Sequence, residues 1–219
     1  MKSKNYFNEV SSVWDEMQQI FFSDKVKETA VGIANVRRGC TAADIGSGTG
    51  FISGELRKYD LKIIAVDQSE KMLLEMKKRF SDYKDIEFLI GTDEYLPIES
   101  ESVDYAFANM YLHHTEHPQV AIREMVRILK PKGRIVITDI DEHNYEFLRE
   151  EQFDRWLGFN RKDIVKWFKN AGLKNIFVDC VGDNCSTSSK NATNKVSLSI
   201  FIAKGEKRNE KWWVGYIFG

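Results

Sequence analysis

The sequence predicts an α/β fold built on a doubly wound, seven-stranded sheet, mostly parallel with an antiparallel last strand. Two observations carry that expectation. Short β-branched runs alternate with longer stretches of helical period, the pattern of a parallel sheet with crossover helices. The last two strand candidates have no helix between them, so a hairpin is the simplest connection and sets that pair antiparallel.

Ahead of the first strand, Tyr6–Asn35 reads as one or two helices, with Phe7, Val10, Val13, Trp14, Met17, Ile20 and Phe21 spaced for one face. This segment, 1–39, is expected either to cap the sheet or to lie over a ligand. Strands are expected at Thr41–Ile45, Lys62–Asp67, Ile86–Ile90, Val103–Ala108, Gly133–Asp139, Ile176–Cys180 and Val196–Ala203. Between them, helices are expected at Phe51–Lys58, Glu70–Phe80, Val120–Leu129 and Arg161–Ala171, each with apolar residues recurring every three or four positions. Ser69 is placed to cap the second of these helices, and Pro118 to open the third, where a missing N–H costs nothing. Pro131 and Gly133 stop that third helix. A polar loop, Gly182–Lys195, joins the last two strands. The main domain is expected over 40–204, and 205–219 forms an aromatic tail carrying Trp212, Trp213, Tyr216, Ile217 and Phe218. An apolar cluster of that size should be covered by its own chain or by another subunit.

The 219 residues suit one domain with an appended segment, and 42% hydrophobic with 30% charged residues excludes both a disordered polymer and a membrane bundle. Lys and Arg total 32 against 33 for Asp and Glu, which removes the electrostatic case for a dedicated nucleic-acid binder and favours small-molecule or protein substrates. The opening residues lack the apolar run of a secretory signal, and no stretch is apolar and long enough to span a bilayer. Three cysteines, Cys40, Cys180 and Cys185, are too few for a disulfide framework, so a cytoplasmic protein with no membrane partner is expected.

The informative piece is Asp44-Ile45-Gly46-Ser47-Gly48-Thr49-Gly50-Phe51, between the first strand and the first helix of the sheet. Open α/β sheets bind ligands beyond the carboxyl ends of such strands. Glycines at alternate positions clear side chains from one side of a turn and let a ligand approach the backbone. A dinucleotide fingerprint needs a further glycine where Phe51, or in the other register Ser53, stands here, so a nucleoside without a pyrophosphate fits better and a nicotinamide oxidoreductase fits poorly. Seventeen residues after Gly50 comes Asp67, at the end of the second strand, where an ionised carboxylate accepts ribose hydroxyls. The ordinary alternative is a tight turn and a surface acid.

With these motifs the chain resembles the class I S-adenosylmethionine-dependent methyltransferases, and within them the ubiquinone-biosynthesis and arsenite-methylating type, the type 11 group. The resemblance covers about residues 40 to 140, through DIGSGTG, VDQSEKML, GTDEYLPIESESVDYAFANMYLHH and ILKPKGRIVITD. It implies a Rossmann-like seven-stranded sheet with an antiparallel last strand, S-adenosyl-L-methionine as cofactor, and a small-molecule methyl acceptor; a monomer or homodimer is expected. Carried across by position, Asp44, Gly46, Ser47, Gly48 and Gly50 form the loop that holds the methionine end, and Asp67 holds the ribose, with Gln68 and Met72 beside the adenine. Thr92 and Asp93 follow the third strand, with Asp93 accepting from the adenine amino group, and Asn109 faces the methionine moiety and the acceptor. The region from about 141 to 160 looks like a helical insertion on the substrate side.

Methyl transfer from a sulfonium is an in-line displacement, so alignment and water exclusion matter more than a catalytic triad. A base helps only where the acceptor must lose a proton, and histidine suits that role. His113, His114 and His143 all follow strand ends on the ligand side; they either meet the acceptor or order their loops. His117 is expected to be exposed. Asp139, Asp141, Glu142 and His143 either contact the acceptor or cap a helix beginning near Asn144. Cys180 and Cys185 leave open thiol or metalloid S-methylation, although the spacing is marginal for zinc, no metal site is expected, and the arsenite enzymes' cysteine after the fourth strand is replaced by Asn109-Met110-Tyr111-Leu112. A non-catalytic protein that binds the cofactor as a signal is the remaining alternative. Asp67→Ala is expected to weaken cofactor binding by about 2–3 kcal/mol, the scale for losing a charged hydrogen-bond acceptor, and calorimetry on the variant reads this directly; native affinity would remove the ribose contact.

Overall fold

The computed structural model describes residues 2–21, 23–92, 94–188 and 195–209. Asp93 and the aromatic tail residues Trp212 to Phe218 lie outside the described residues, as does the side chain of Ile20. Seven strands form one sheet in the order β3-β2-β1-β4-β5-β7-β6. They are β1 Thr41–Ile45, β2 Lys62–Asp67, β3 Ile86–Ile90, β4 Val103–Asn109, β5 Leu129–Ile140, β6 Leu173–Ser188 and β7 Lys195–Lys207. The first five pair in parallel, and β7 runs antiparallel to both β5 and β6. The expected sheet and its reversed last strand are therefore present.

The central strands are apolar at nearly every position because both faces of the sheet are covered. On one face, Ala42, Ile63, Tyr105, Phe107, Val136 and Ile202 pack under α3 Lys25–Ala34 and α4 Phe51–Leu56, and Ala65 packs under α5 Glu70–Arg79. On the other, Ile45, Ile64, Val66, Ala106, Ile135 and Ile137 meet α6 Pro118–Ile128 and α8 Arg161–Asn170. The period-2 alternation within each strand divides the two layers. Ser69 caps α5 by accepting from the Met72 N–H at 3.2 Å, and Pro118 opens α6, both as expected.

The departures from expectation lie at the two ends of the chain, in the insertion and at the start of β5, which begins at Leu129 and runs through Pro131 and Gly133, so that α6 ends at Ile128 before either of them. The N-terminal segment forms three helices rather than one or two: α1 Lys2–Val10, α2 Trp14–Phe21 and α3. The final hairpin is much longer than its apolar runs, since Asn184–Ser188 pair with Lys195–Ser199 and most of the expected loop is strand. Asn184 and Ser197 are exposed while Val181 and Leu198 are buried, so a half-solvated ladder reads as a loop. β7 also continues past residue 204, to Lys207. Within 141–160 the helix is short, α7 Phe147–Glu151, and begins after Glu146 rather than near Asn144. Among the described residues, no helix is long and apolar enough to cross a membrane.

Phe168 on α8 is fully buried against Gly205 of β7 and Leu173. Phe168→Ala is expected to cost about 3–5 kcal/mol of stability by urea unfolding, the range for truncating a buried aromatic; a loss under 1 kcal/mol would mean that this layer is not closely packed.

Candidate functional site

Strand order reverses at β1, whose chain neighbour β2 lies on one side and β4 on the other, and the glycine loop leaves the sheet at that point. Gly46, Gly48 and Gly50 have φ of 66°, 53° and 93°, a left-handed backbone that side chains resist. A Cβ on Gly46 would lie 2.3 Å from the Tyr111 ring, and one on Gly50 2.4 Å from Phe80, so these two glycines are also required by their neighbours.

Two buried carboxylates hold the loop. Asp44 accepts from the Ser53 N–H at 3.0 Å and the Ser53 hydroxyl at 2.6 Å, which fastens the end of β1 to α4. Burial pushes the Asp44 carboxyl up to about 6, against the Ser53 hydrogen bonds that favour its ionised form. Asp67 accepts from the Gly48 N–H at 2.9 Å through one oxygen and from the Ser69 N–H at 2.8 Å through the other. Burial raises its carboxyl too, and the backbone donors oppose that rise.

A cavity of about 310 Å³ opens above this loop. Of the residues expected to bind the cofactor, Asp44, Gly46, Ser47, Gly48, Asp67, Gln68, Met72, Thr92 and Asn109 line it together. Gly50 belongs to the loop but does not border the cavity, and Asp93 lies outside the described residues. Asn109 also accepts a hydrogen bond from the Thr138 hydroxyl, 2.7 Å away on β5.

The N-terminal helices divide the two roles open to them. α3 packs on the sheet, while α1 and α2 cover the cavity with Phe7, Trp14 and Gln18. Trp14 stands over Gly48, its Nε1 3.6 Å from where a Cβ would project. The cover is latched by polar contacts: the Ser69 hydroxyl donates to Asn8 Oδ1 at 2.7 Å, the Thr49 hydroxyl donates to Asp15, and Arg79 donates to both Asp15 oxygens at 3.2 Å.

The three histidines separate. Only His114 borders the cavity; its ring stacks edge-on against Phe7 with centroids 5.0 Å apart. Burial and the neighbouring His113 hold the His114 imidazole well below its usual range, so it is neutral at pH 7. His113 is buried behind it, with Nδ1 2.6 Å from Asp139 Oδ1. Burial lowers the His113 pKa, but Asp139 and Asp154 outweigh it and raise the ring to about 9. His143 accepts from the Tyr145 N–H and does not reach the cavity. His117 is exposed, as expected.

The acidic residues after β5 do not line the cavity either. Asp139 is committed to His113 and to the Leu112 N–H, and Asp141 pairs with Arg161 at 2.6 Å while accepting from Ser199. Neither thiol lines it. Cys180 is exposed, and a hydrogen bond from the Gly182 N–H lowers its pKa. Cys185 packs with Ile140, Leu148 and Leu198, where burial pushes it up to about 12.

Sequence reasoning left out Tyr111, Glu116 and Arg155, which complete the lining beside His114. Tyr111 and Glu116 flank the two expected histidines, which was the available signal. Arg155 sits in the insertion, where no periodicity points inward.

Comparison with known proteins agrees with the fold and the loop. Residues 43–137 match the model of the methyltransferase domain family. A demethylmenaquinone methyltransferase of Clavibacter sepedonicus is 31% identical over 137 residues, covering 61% of this chain and 56% of that enzyme. The chain spans 39%, 77% and 24% of the lengths of three other curated relatives. Among solved structures, a chain from the complex between the Haloferax volcanii Trm112 methyltransferase activator and a protein assigned as a methyltransferase superposes with a TM-score of 0.76 at 19% identity, over 92% of this chain and 97% of that one. A Haemonchus contortus phosphoethanolamine N-methyltransferase, in complex with phosphomonomethylethanolamine and S-adenosylhomocysteine, gives 0.69 at 16% identity, over 83% and 52%. The fold is that of the class I methyltransferases. Residues 43–137 thus carry the match to the methyltransferase domain family, on a fold shared with solved methyltransferases.

Because the folded pKa of Asp44 lies above its unfolded value, this group's contribution to stability is full below about pH 4 and is lost as pH rises through about 6. Asp44→Asn cannot ionise, so its stability relative to the parent is expected to be about 2 kcal/mol more favourable at pH 7.5 than at pH 4.5 in urea unfolding. A pH-independent difference would remove the buried-carboxyl account.

Proposed function

We propose that this protein transfers the methyl group of S-adenosyl-L-methionine to a small-molecule acceptor. The observation that carries the reading is the convergence, on one cavity, of the glycine loop, the Asp67 carboxylate and the Asp44 carboxylate. The residues present fit the cofactor. Gly46 and Gly48 keep the loop free of side chains, the buried Ser47 hydroxyl has no hydrogen-bond partner, and two carboxylates suit a cationic ligand. Asp67 spends one lone pair of each oxygen on backbone N–H groups and keeps others for the ribose hydroxyls, while Gln68 and Met72 frame the adenine. Asp44, Ser47 and Asn109 face the methionine end.

Bound there, the cofactor supplies a methyl carbon on a sulfonium, open to in-line attack. The chain's own task is then to align the nucleophile and keep water out. Phe7, Trp14 and Tyr111 close the cavity over the loop, and His114, Glu116 and Arg155 border the acceptor end. An acceptor that is already a nucleophile needs no base, which agrees with His113 and His143 standing apart from the cavity. The acceptor is a compact polar molecule that meets the Arg155–Glu116 pair, whose closest atoms are 3.5 Å apart. A monomer or homodimer in a reducing, cytoplasmic setting suits three unpaired cysteines.

Calorimetric titration with S-adenosylmethionine, S-adenosylhomocysteine and NADH tests the reading. Micromolar binding of the first two and none of the third is expected, followed by consumption of S-adenosylmethionine across an acceptor panel. Binding of NADH alone would overturn it, and tight cofactor binding with no turnover of any acceptor would favour a sensor.

A further inference from the structure

Behind the acceptor end of the cavity, three side chains turn ligand atoms toward one another without forming hydrogen bonds. His113 Nε2 lies 3.8 Å from Asp154 Oδ1, and His114 Nδ1 lies 3.7 Å from the same oxygen. All three atoms fall within 4.8 Å of one another. These spacings are too long for N–H···O bonds, so the cluster does not satisfy itself. His114 Nδ1 and Asp154 Oδ1 are buried with no hydrogen-bond partner, and the Asp154 side chain is 3% exposed. Two such orphaned atoms side by side call for a ligand, because a buried polar atom left unpaired costs free energy.

We propose that His113 Nε2, His114 Nδ1 and Asp154 Oδ1 bind one divalent transition-metal ion of the kind that prefers imidazole, with zinc as its probe. Ligand atoms bonded to zinc at 2.0–2.1 Å in a tetrahedron stand about 3.4 Å apart, so the two histidine–Asp154 separations need to contract by only a few tenths of an ångström. The tautomers suit ligation. Asp139 Oδ1, 2.6 Å away, accepts from His113 Nδ1–H, which turns Nε2 toward the cluster in a carboxylate–histidine–metal arrangement where the ion displaces the Nε2 proton. The His114 ring hydrogen-bonds to the Phe153 backbone, leaving the unpartnered Nδ1 as the donor atom. Two imidazoles and one carboxylate select a first-row transition ion over magnesium or calcium, which prefer all-oxygen sites.

The ion's role is structural. His113 and His114 sit in the turn after β4, whereas Asp154 belongs to the insertion, which approaches that turn through Arg155 and Trp156 N–H groups donating to the His113 carbonyl at 2.9 and 3.1 Å. A shared ion fastens the insertion beside the cavity and holds Arg155 and His114 in its wall. This inference is independent of the acceptor and of methyl transfer, and binding and stability read it without turnover.

The test is calorimetry of metal-stripped, full-length protein with Zn²⁺, alongside a thermal melt with and without the ion. One equivalent is expected to bind, with at least a tenfold loss of affinity in Asp154→Asn and in His114→Gln, and no change in Cys180→Ser. Zinc is expected to raise the unfolding midpoint of the parent protein and leave that of Asp154→Asn unmoved. Co²⁺ gives a second readout on the parent protein alone, where d–d bands without a thiolate charge-transfer band mark a nitrogen and oxygen site. No binding to the folded parent, or binding that both substitutions leave intact, or a thiolate band with Co²⁺, would overturn the proposal.

Discussion

The Asp67 carboxylate is the contact on which the rest of the site depends. One oxygen fixes the glycine loop through Gly48, and the other fixes the first residues after β2 through the Ser69 N–H. Ser69 in turn caps α5 and donates to Asn8 of α1, so the loop, the helix start and the cover are joined through one group. A buried carboxylate stays ionised only while such donors are supplied, and the loop supplies them in the conformation that three left-handed glycines permit. The Asp67 oxygens proposed to accept from a ribose are therefore fixed by the chain itself, which lowers the ordering cost of binding.

Asp44 and Asp67 share a property that bears on the proposed reaction. Both are raised by burial, and the Asp67 charge adds to the rise at Asp44. The two therefore make a negatively charged, poorly solvated cavity floor. A cation placed between them relieves part of the desolvation that each carboxylate bears. The proposed cofactor carries a sulfonium charge before transfer and loses it afterwards, so the same floor holds the reactant more firmly than the product.

The sheet was legible because its information is local. Alternation within β1, β2 and β4, the Ser69 cap and the Pro118 start each depend on near neighbours in sequence. The gathering of Gly46, Gly48 and Asp67 on one cavity was legible for a related reason: they sit at strand ends, and parallel register brings strand ends to one edge. Histidine roles were not, because the turn after β4 reverses direction between consecutive residues. His114 borders the cavity there, while His113 turns back to Asp139. Arg155 and Asp154 were invisible because they belong to an irregular segment with no period to assign a side chain a direction. The last hairpin was misjudged because its outer face is solvated, and Ser186 and Thr187 carry loop composition into a ladder.

The same contrast explains how the two halves of the cavity are built. The glycine-loop side hangs from strand register and backbone hydrogen bonds, which few substitutions can move without disturbing the sheet. The opposite wall, proposed to meet the acceptor, is assembled from α1, α2, the turn after β4 and the insertion, none of which shares a ladder with the central strands. Its geometry rests on side-chain contacts instead: Phe7 against His114, Trp156 Nε1 donating to the Thr115 carbonyl at 3.0 Å, and Arg155 beside Glu116. Each of these can change singly while Asp67 and the glycine loop stay as they are. A cavity wall made in this way can be retuned while the glycine loop stays intact, and for that reason the match to the methyltransferase domain constrains the loop half of this cavity far more tightly than the half proposed to meet the acceptor.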